Sequence, residues 1–495
     1  MNFDLDKKTR RELGYRLIDL INEYYSSLPE RSVQLPLENR KFPDLRGKVP
    51  ELASDAVLVL DDVFHELVDK GFHIPSANYF GLINPTPTYM AVMAEALVAT
   101  LNPQLASLAR SQMASRIEHE TIGWIAQRIG WESPQLCRDG SVTRPVGAHK
   151  ETFGGTFTSG GNEANFTGML LALVRAFPGA IENGVASIGG HPIVYTSSEA
   201  HHSIEKSAGM MGIGRRALRR IQVTDSLQFD NRRLEARIAE DFAAGYKPFC
   251  VVATAGTTSS GAIDDLEALA DICKRYHLWL HVDGAYGAAV VLSDKHRDLV
   301  RGIEKADSVS LDPHKWLSMP FAAGLILTRH PEMLSRAFEV TPSYMPRLEN
   351  AELPDNFKIS AQWSRRMNSL KLWLTLQVHG RKAYEELIDR QLKLATSFRD
   401  WLEASDQFEV TAPMYLPILN FSLKAEGRTP DELAAANMAL VDDLTRSGKQ
   451  WLSSTIVNGR RVIRAMVISY LTEEHNVKQL QDALVRAAKA AALHV

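Results

Sequence analysis

A chain of 495 residues exceeds a single hydrophobic core, so two or three domains are expected. Its composition, 45% hydrophobic and 23% charged, is that of an ordinary globular protein, and a formal net charge of −3 gives no electrostatic reason for nucleic acid or an anionic membrane as a partner. Three cysteines without metal-ligand spacing exclude a disulfide framework and suit a reducing compartment, and no apolar run approaches the roughly 20 residues of a membrane span.

The first residues, MNFDLDKKTRREL, are charged and lack the apolar stretch of a signal peptide, so a cytoplasmic protein is expected. From about Asp6 to Leu28, Leu13, Leu17, Leu20, Ile21 and Tyr24 recur at helical spacing. Prolines from Pro29 to Pro50 mark an extended connection. A helix is predicted over Ser54–Lys70, a loop through Gly71–Pro87, and one long helical segment from about Thr88 to Gly130. From about Gly154 short β-rich runs alternate with helical stretches: Pro192–Thr196, Ala217–Val223, Phe249–Ala253, Leu278–Val282 and Ser308–Leu311. That rhythm predicts an α/β fold with a parallel, helix-covered sheet. A helix from about Ser369 leads to a last domain with strands near Leu416–Leu423 and Val462–Val467 and a closing helix from about Val477 to Leu493.

Five motifs carry chemistry. In Ser308-Val-Ser-Leu-Asp-Pro-His-Lys-Trp316 a lysine follows a strand end; a partly desolvated lysine is the amine that holds a carbonyl cofactor as a Schiff base. In Leu278-Trp-Leu-His-Val-Asp-Gly-Ala-Tyr-Gly287, Asp283 ends an apolar strand, where a carboxylate needs a cationic partner such as a protonated pyridine nitrogen; the plainer reading is a turn cap. About thirty residues separate Asp283 from Lys315, room for one crossover between neighbouring parallel strands, whose C-terminal ends share the ligand-binding edge. Phe157-Thr-Ser-Gly-Gly-Asn-Glu-Ala-Asn165 opens an apolar helix, and its glycines and N–H groups suit a phosphate as well as a simple turn. Ser197-Ser-Glu-Ala-His-His-Ser-Ile-Glu-Lys206 offers an imidazole for stacking or proton handling, and Val251-Val-Ala-Thr-Ala-Gly-Thr-Thr-Ser-Ser-Gly261 offers hydroxyls.

In this order, TSGGNEAN, SSEAHHS, ATAGTTSSGAID, HVDGAYG and DPHKW closely resemble the group II pyridoxal phosphate (PLP)-dependent decarboxylases, a family that includes aromatic-L-amino-acid, glutamate and histidine decarboxylases. The resemblance spans nearly the whole chain. It implies a fold-type I architecture, with a mostly parallel sheet, a helical N-terminal segment over residues 1–105, a large PLP-binding α/β domain over 106–375 and a small α/β domain over 376–495. It also implies a homodimer with the active site at the subunit interface, PLP as cofactor and an amino acid as substrate. Lys315 matches the Schiff-base lysine, Asp283 the partner of the pyridine nitrogen and His201 the imidazole stacked on the ring. Gly161, Asn162 and His314 match phosphate contacts, Ala285 the small residue under the ring, and Thr254 a hydroxyl near the stacking histidine. Tyr79 and Phe80 match a stretch lining the substrate pocket, which slightly favours an aromatic substrate.

The departures from the family pattern are specific. Asp312 stands where the family commonly has Asn, and V-D-G-A-Y replaces V-D-A-A-Y. The region matching the mobile catalytic loop, Leu353-Pro-Asp-Asn-Phe-Lys-Ile-Ser360, lacks the Tyr that often protonates Cα. Family members with Phe at that place can be aldehyde synthases, so Phe357 makes oxidative deamination to an aldehyde the alternative outcome; a non-catalytic PLP-binding subunit is the alternative from another class. Gly209-Met-Met-Gly-Ile-Gly214 reads as a helix stop, and Glu118-His-Glu120 as a solvated helix face rather than a metal site. Arg215, Arg216, Arg219 and Arg220 read as surface ion pairing.

Overall fold

Near-continuous apolar runs are what a strand covered on both faces requires, and they build the sheet that carries the motifs. The computed structural model describes residues 4–36, 39, 47–131, 135–136, 142–143, 153–345, 353–425 and 427–493. Strands β1 (Gly154–Thr158), β2 (Pro192–Ser197), β3 (Leu218–Ile221), β4 (Lys247–Thr254), β5 (Trp279–Asp283), β6 (Ser308–Leu311) and β7 (Gly324–Thr328) form one sheet in the order β1-β7-β6-β5-β4-β2-β3. The pairs β2–β3, β2–β4, β4–β5 and β5–β6 are parallel. β7 runs antiparallel to both β1 and β6. The architecture is therefore the expected α/β fold with a mostly parallel sheet. The five strands read from the sequence are present within two residues of their expected ends. β1 and β7 were not anticipated, because β1 opens on two glycines and the three-residue apolar run of β7 has no diagnostic period.

Chain contacts divide the protein into two compact units, Met1–Thr86 with Leu394–Thr411 and Leu419–Val495, and Pro87–Lys393 with Ala412–Ile418. The first unit holds α1 (Lys7–Ser27) and α2 (Ala56–Lys70), each N-capped by an Asp carboxylate, Asp6 and Asp55. It also holds a four-stranded sheet, β8 (Phe408–Val410), β9 (Ile418–Leu423), β10 (Ser453–Val457) and β11 (Arg460–Met466), in the order β8-β9-β11-β10. The second unit contains the large sheet and its covering helices. Of the expected Pro29–Pro50 connection, residues 37–38 and 40–46 lie outside the described residues, as does Cys137. Among the described residues no helix is long and apolar enough to cross a membrane.

The single helix expected over Thr88–Gly130 is in fact two, α3 (Tyr89–Leu101) and α4 (Gln112–Ile129). Asn102 adopts a left-handed conformation (φ 43°) and Pro103 follows, so the helix stops where a residue before proline is barred from continuing it. Two arginines of the basic cluster form ion pairs, Arg219 with the buried Asp241 and Arg220 with Glu205. Glu118 corrects the reading of a solvated face. It lies on the apolar stripe of α4 beside Ile117, Thr121 and Ile122, and its Oε1 is 2.6 Å from Arg365 Nη1, both side chains nearly inaccessible to solvent. Arg365 Nη1 also donates to Phe157 O at 3.2 Å, so the pair braces the strand that leads into the glycine turn. Glu118→Gln should destabilise the protein by about 3–5 kcal/mol, because the arginine keeps its charge and loses its buried counter-ion. Chemical denaturation measures this; a loss below about 1 kcal/mol would show that the pair is effectively solvated.

Candidate active site

The site forms where β5 and β6 end side by side. Asp283 pairs in register with Ser310, and the chain beyond β6 turns back so that Asp312 N–H donates to Ala285 O at 3.0 Å. Lys315 follows in the same turn, its N–H donating to Asp312 O at 2.9 Å. The expected neighbouring-strand arrangement is therefore present. The connection between β5 and β6 is made of three 3-10 turns, Gly287–Leu292, Arg297–Val300 and Ile303–Lys305, rather than an α-helix.

Asp283 is 5% exposed. Three donors meet its carboxylate: Asn165 Nδ2 at 2.9 Å, the Ala285 amide at 3.2 Å and Ser310 Oγ at 3.3 Å. Three hydrogen bonds stabilise a buried anion here and still leave lone pairs for a further donor. Lys315 Nζ lies 3.0 Å from Asp312 Oδ2, and His314 Nε2 lies 3.5 Å from the same oxygen. The Ala323 amide donates to His314 Nδ1 at 3.1 Å, which places the proton of the neutral ring on Nε2, facing Asp312. Burial holds the His314 pKa below its ordinary value, with Asp312 acting in the opposite direction.

His201 accepts from the Ser203 amide through Nδ1 at 3.2 Å, so its neutral ring also carries the proton on Nε2. Desolvation lowers its pKa; the charge of Asp283 raises it and that of Lys315 lowers it, so all three groups act within one electrostatic neighbourhood. Thr254 ends β4 in register with Asp283, and its buried Oγ1 has no hydrogen-bond partner. Helix α5 (Gly161–Ala176) begins above these strand ends, where a Cβ on Gly161 would come within 2.8 Å of Asp312 Oδ2 and 3.1 Å of Ala285 Cβ. The N–H groups of Glu163 and Ala164 both reach Gly160 O, so the amides of Gly161 and Asn162 stand at the open helix start.

The structure thus gathers Lys315, Asp283, His201, Ala285, Thr254, Gly161, Asn162 and His314 around one sheet edge. Tyr79 and Phe80 belong to the other unit, where Tyr79 stacks on Trp451 (centroids 5.2 Å apart, planes 2° apart) and both are buried. Phe357 is buried in the sheet-bearing unit, stacked on Trp363 at 4.8 Å, with its amide bonded to Ala106 O. Sequence reasoning missed Asn165, Ser203, Ser310 and His281. The signal for Asn165 was available: it stands one helical turn after Gly161 and shares its face. Likewise Ser308, Ser310 and Asp312 alternate along β6, and His281 and Asp283 along β5, so each set faces one side.

These residues fit pyridoxal phosphate. An amine, a buried carboxylate with acceptor capacity left over, an orphaned hydroxyl and a glycine-cleared helix start are the donor and acceptor set the group needs. Asp312 is the exception, since its Oδ1 is buried without a partner and its Oδ2 lies near the helix start where a phosphate would be drawn.

Comparison with known proteins agrees with the geometry. The model of the pyridoxal-dependent decarboxylase conserved domain matches residues 37–424. An aromatic-L-amino-acid decarboxylase from Bacillus atrophaeus is 31% identical, covering 97% of this chain and 95% of its own. An L-2,4-diaminobutyrate decarboxylase from Acinetobacter baumannii is 30% identical over 79% of this chain and 76% of its own. The crystal structure of Oryza sativa TDC with PLP and tryptamine superposes with a TM-score of 0.90 at 26% identity over 99% of each chain. The chain belongs to the pyridoxal-dependent decarboxylase family: it is a fold-type I, PLP-dependent carboxy-lyase of amino acids.

Proposed function

We propose that this decarboxylase converts an aromatic L-amino acid to its amine and CO2, with Lys315, Asp283 and His201 as its catalytic residues. The observation that carries the assignment of roles is the convergence of the Lys315 amine and the triply hydrogen-bonded Asp283 carboxylate at adjoining strand ends. Bound pyridoxal phosphate supplies the electron sink that accepts the electron pair of the breaking Cα–carboxylate bond. With the cofactor bound, Lys315 is the amine that would hold its carbonyl carbon. Asp283 would keep a proton on the ring nitrogen. His201, its proton on Nε2, would stack on the ring and orient the substrate carboxylate. Gly161, Asn162 and His314 would hold the phosphate, Ala285 would leave room for the ring, and Thr254 would contribute its unpartnered hydroxyl.

The aromatic substrate is supported by the full-length relative named for aromatic amino acids and by the solved neighbour holding tryptamine; the diaminobutyrate relative covers less of the chain. Phe357 is the residue of the sheet-bearing unit assigned to the substrate side chain. Val59, Val63 and Leu67 form an exposed apolar stripe at i, i+4 and i+8 on α2, which supports a homodimer with a second copy covering that face. The two described cysteines, Cys250 and Cys273, are free and buried, in keeping with a cytoplasmic enzyme.

Four outcomes follow. Lys315→Ala should abolish both the protein-bound cofactor absorbance and turnover, and retained turnover would refute the assignment. Asp283→Asn should lower kcat by about a hundred- to several-thousand-fold, the equivalent of losing one member of a buried pair. An amino-acid panel under air, with amine, aldehyde, ammonia and peroxide measured together, should give amine from an aromatic substrate without peroxide; stoichiometric aldehyde and peroxide would replace this reading with an aldehyde synthase. Light scattering should find twice the chain mass for the wild type and one chain mass for Val63→Asp/Leu67→Asp; a monomeric wild type would contradict the dimer.

A further inference from the structure

A line of buried side chains ends on the Asp283 carboxylate. Trp279 Nε1 donates to Ser308 Oγ at 2.8 Å, and Ser308 Oγ lies 2.8 Å from His281 Nδ1. His281 Nε2 lies 3.0 Å from Asn165 Oδ1, and Asn165 Nδ2 donates to Asp283 Oδ2 at 2.9 Å. All five residues are buried, His281 and Ser308 completely. The helix face opposite is cleared for them: a Cβ on Gly168, three residues beyond Asn165, would lie 2.5 Å from the imidazole.

Counting protons fixes the direction of every bond. Asn165 Nδ2 spends its two hydrogens on Asp283 Oδ2 and, at 3.0 Å, Ser203 Oγ, so the amide oxygen is what faces His281. The reversed amide would aim an oxygen at a carboxylate. His281 therefore donates from Nε2. Its ring is neutral, since burial pushes its pKa down to about 4 despite the nearby Asp283 charge. Nδ1 then accepts the Ser308 hydroxyl hydrogen, and the Ser308 oxygen accepts from the indole N–H. Trp279, Ser308, His281 and Asn165 thus all donate in one direction, toward the negative charge.

We propose that Asn165 and His281 are positioning residues of the decarboxylase, forming with Ser308 and Trp279 a one-way hydrogen-bond chain that orients Asp283 and keeps its shared proton on the cofactor ring. Hydrogen bonds donated to a carboxylate favour its charged form, so a proton shared with a ring nitrogen stays on the nitrogen, where it makes the ring an electron sink. His281 sets the sense of the chain. Without its Nε2–H, the Asn165 amide oxygen loses its donor and only the two bonds made by Nδ2 hold the amide. The inference rests on the reading of Asp283 as the ring's partner.

Three substitutions in the full-length, cofactor-loaded enzyme test it: His281→Leu removes both ring nitrogens, Ser308→Ala removes only the hydroxyl that orients them, and His281→Gln keeps a donor and an acceptor. His281→Leu should lower kcat about tenfold or more with little change in KM, and should shift the pH titration of the bound-cofactor absorbance. Ser308→Ala should shift both in the same direction by less, and it decides the matter if His281→Leu does not fold. His281→Gln should restore wild-type spectrum and turnover to within about threefold. A folded His281→Leu with wild-type spectrum and kcat overturns the inference, as do variants that lose only melting temperature, or His281→Gln proving as impaired as His281→Leu. Asp283→Asn separates the layers. If it shifts the spectrum while the His281 and Ser308 variants do not, the chain alone is rejected; if it also leaves the spectrum unchanged, the role of Asp283 itself falls.

Discussion

A carboxylate buried at the end of a parallel strand is the constraint that organises this protein's chemistry. Desolvating Asp283 is unfavourable unless donors surround it, and the fold supplies three. They come from three separate elements, the α5 helix, the turn after β5 and the adjoining strand β6, so the carboxylate also ties helix to sheet. Because β5 and β6 are parallel neighbours, the same edge that exposes the acceptor end of Asp283 carries the turn bearing Asp312, His314 and Lys315. Anion and amine are placed by topology before any ligand is considered.

The faces of the central strands show how the sequence encodes this. A buried strand usually alternates between two apolar sides, yet β5 and β6 each devote one side to polar groups, His281 with Asp283 and Ser308 with Ser310 and Asp312. The helix above answers with Gly161, Asn165 and Gly168 at i, i+4 and i+7, small where the imidazole and the Asp312 carboxylate need room and amide-bearing where the network needs both a donor and an acceptor. Polar groups at a buried sheet–helix seam reduce hydrophobic stabilisation and fix orientation instead, which is what a site that must hold a charged ring in one pose requires.

Much of this was legible in the residues. The strand positions, the shared edge and the pairing of Asp283 with the Lys315 turn follow from apolar runs, spacing and the geometry of crossovers. What escaped has physical causes. The break at Asn102 depends on a left-handed residue ahead of a proline inside an otherwise continuous helical pattern. Glu118 looks like a surface residue by type, and only its buried partner Arg365, far along the chain, explains its place. Asn165 and His281 share faces with Gly161 and Asp283, a signal the sequence holds, but what those faces meet is shown only by the three-dimensional network. Asp312 is a sharper case. The sequence flags it as a departure, and the structure gives it a role in the free chain, as the counter-ion of Lys315 Nζ at 3.0 Å.

The central claim is that Lys315 is the amine that holds the cofactor opposite Asp283. Borohydride reduction of the loaded enzyme followed by peptide mass spectrometry tests it most directly, because reduction fixes the cofactor on whichever amine carries it. The account requires the pyridoxyl mass on Lys315 and on no other lysine. A label on another lysine, such as the buried Lys371, or a loaded protein that reduction leaves unlabelled, would contradict it.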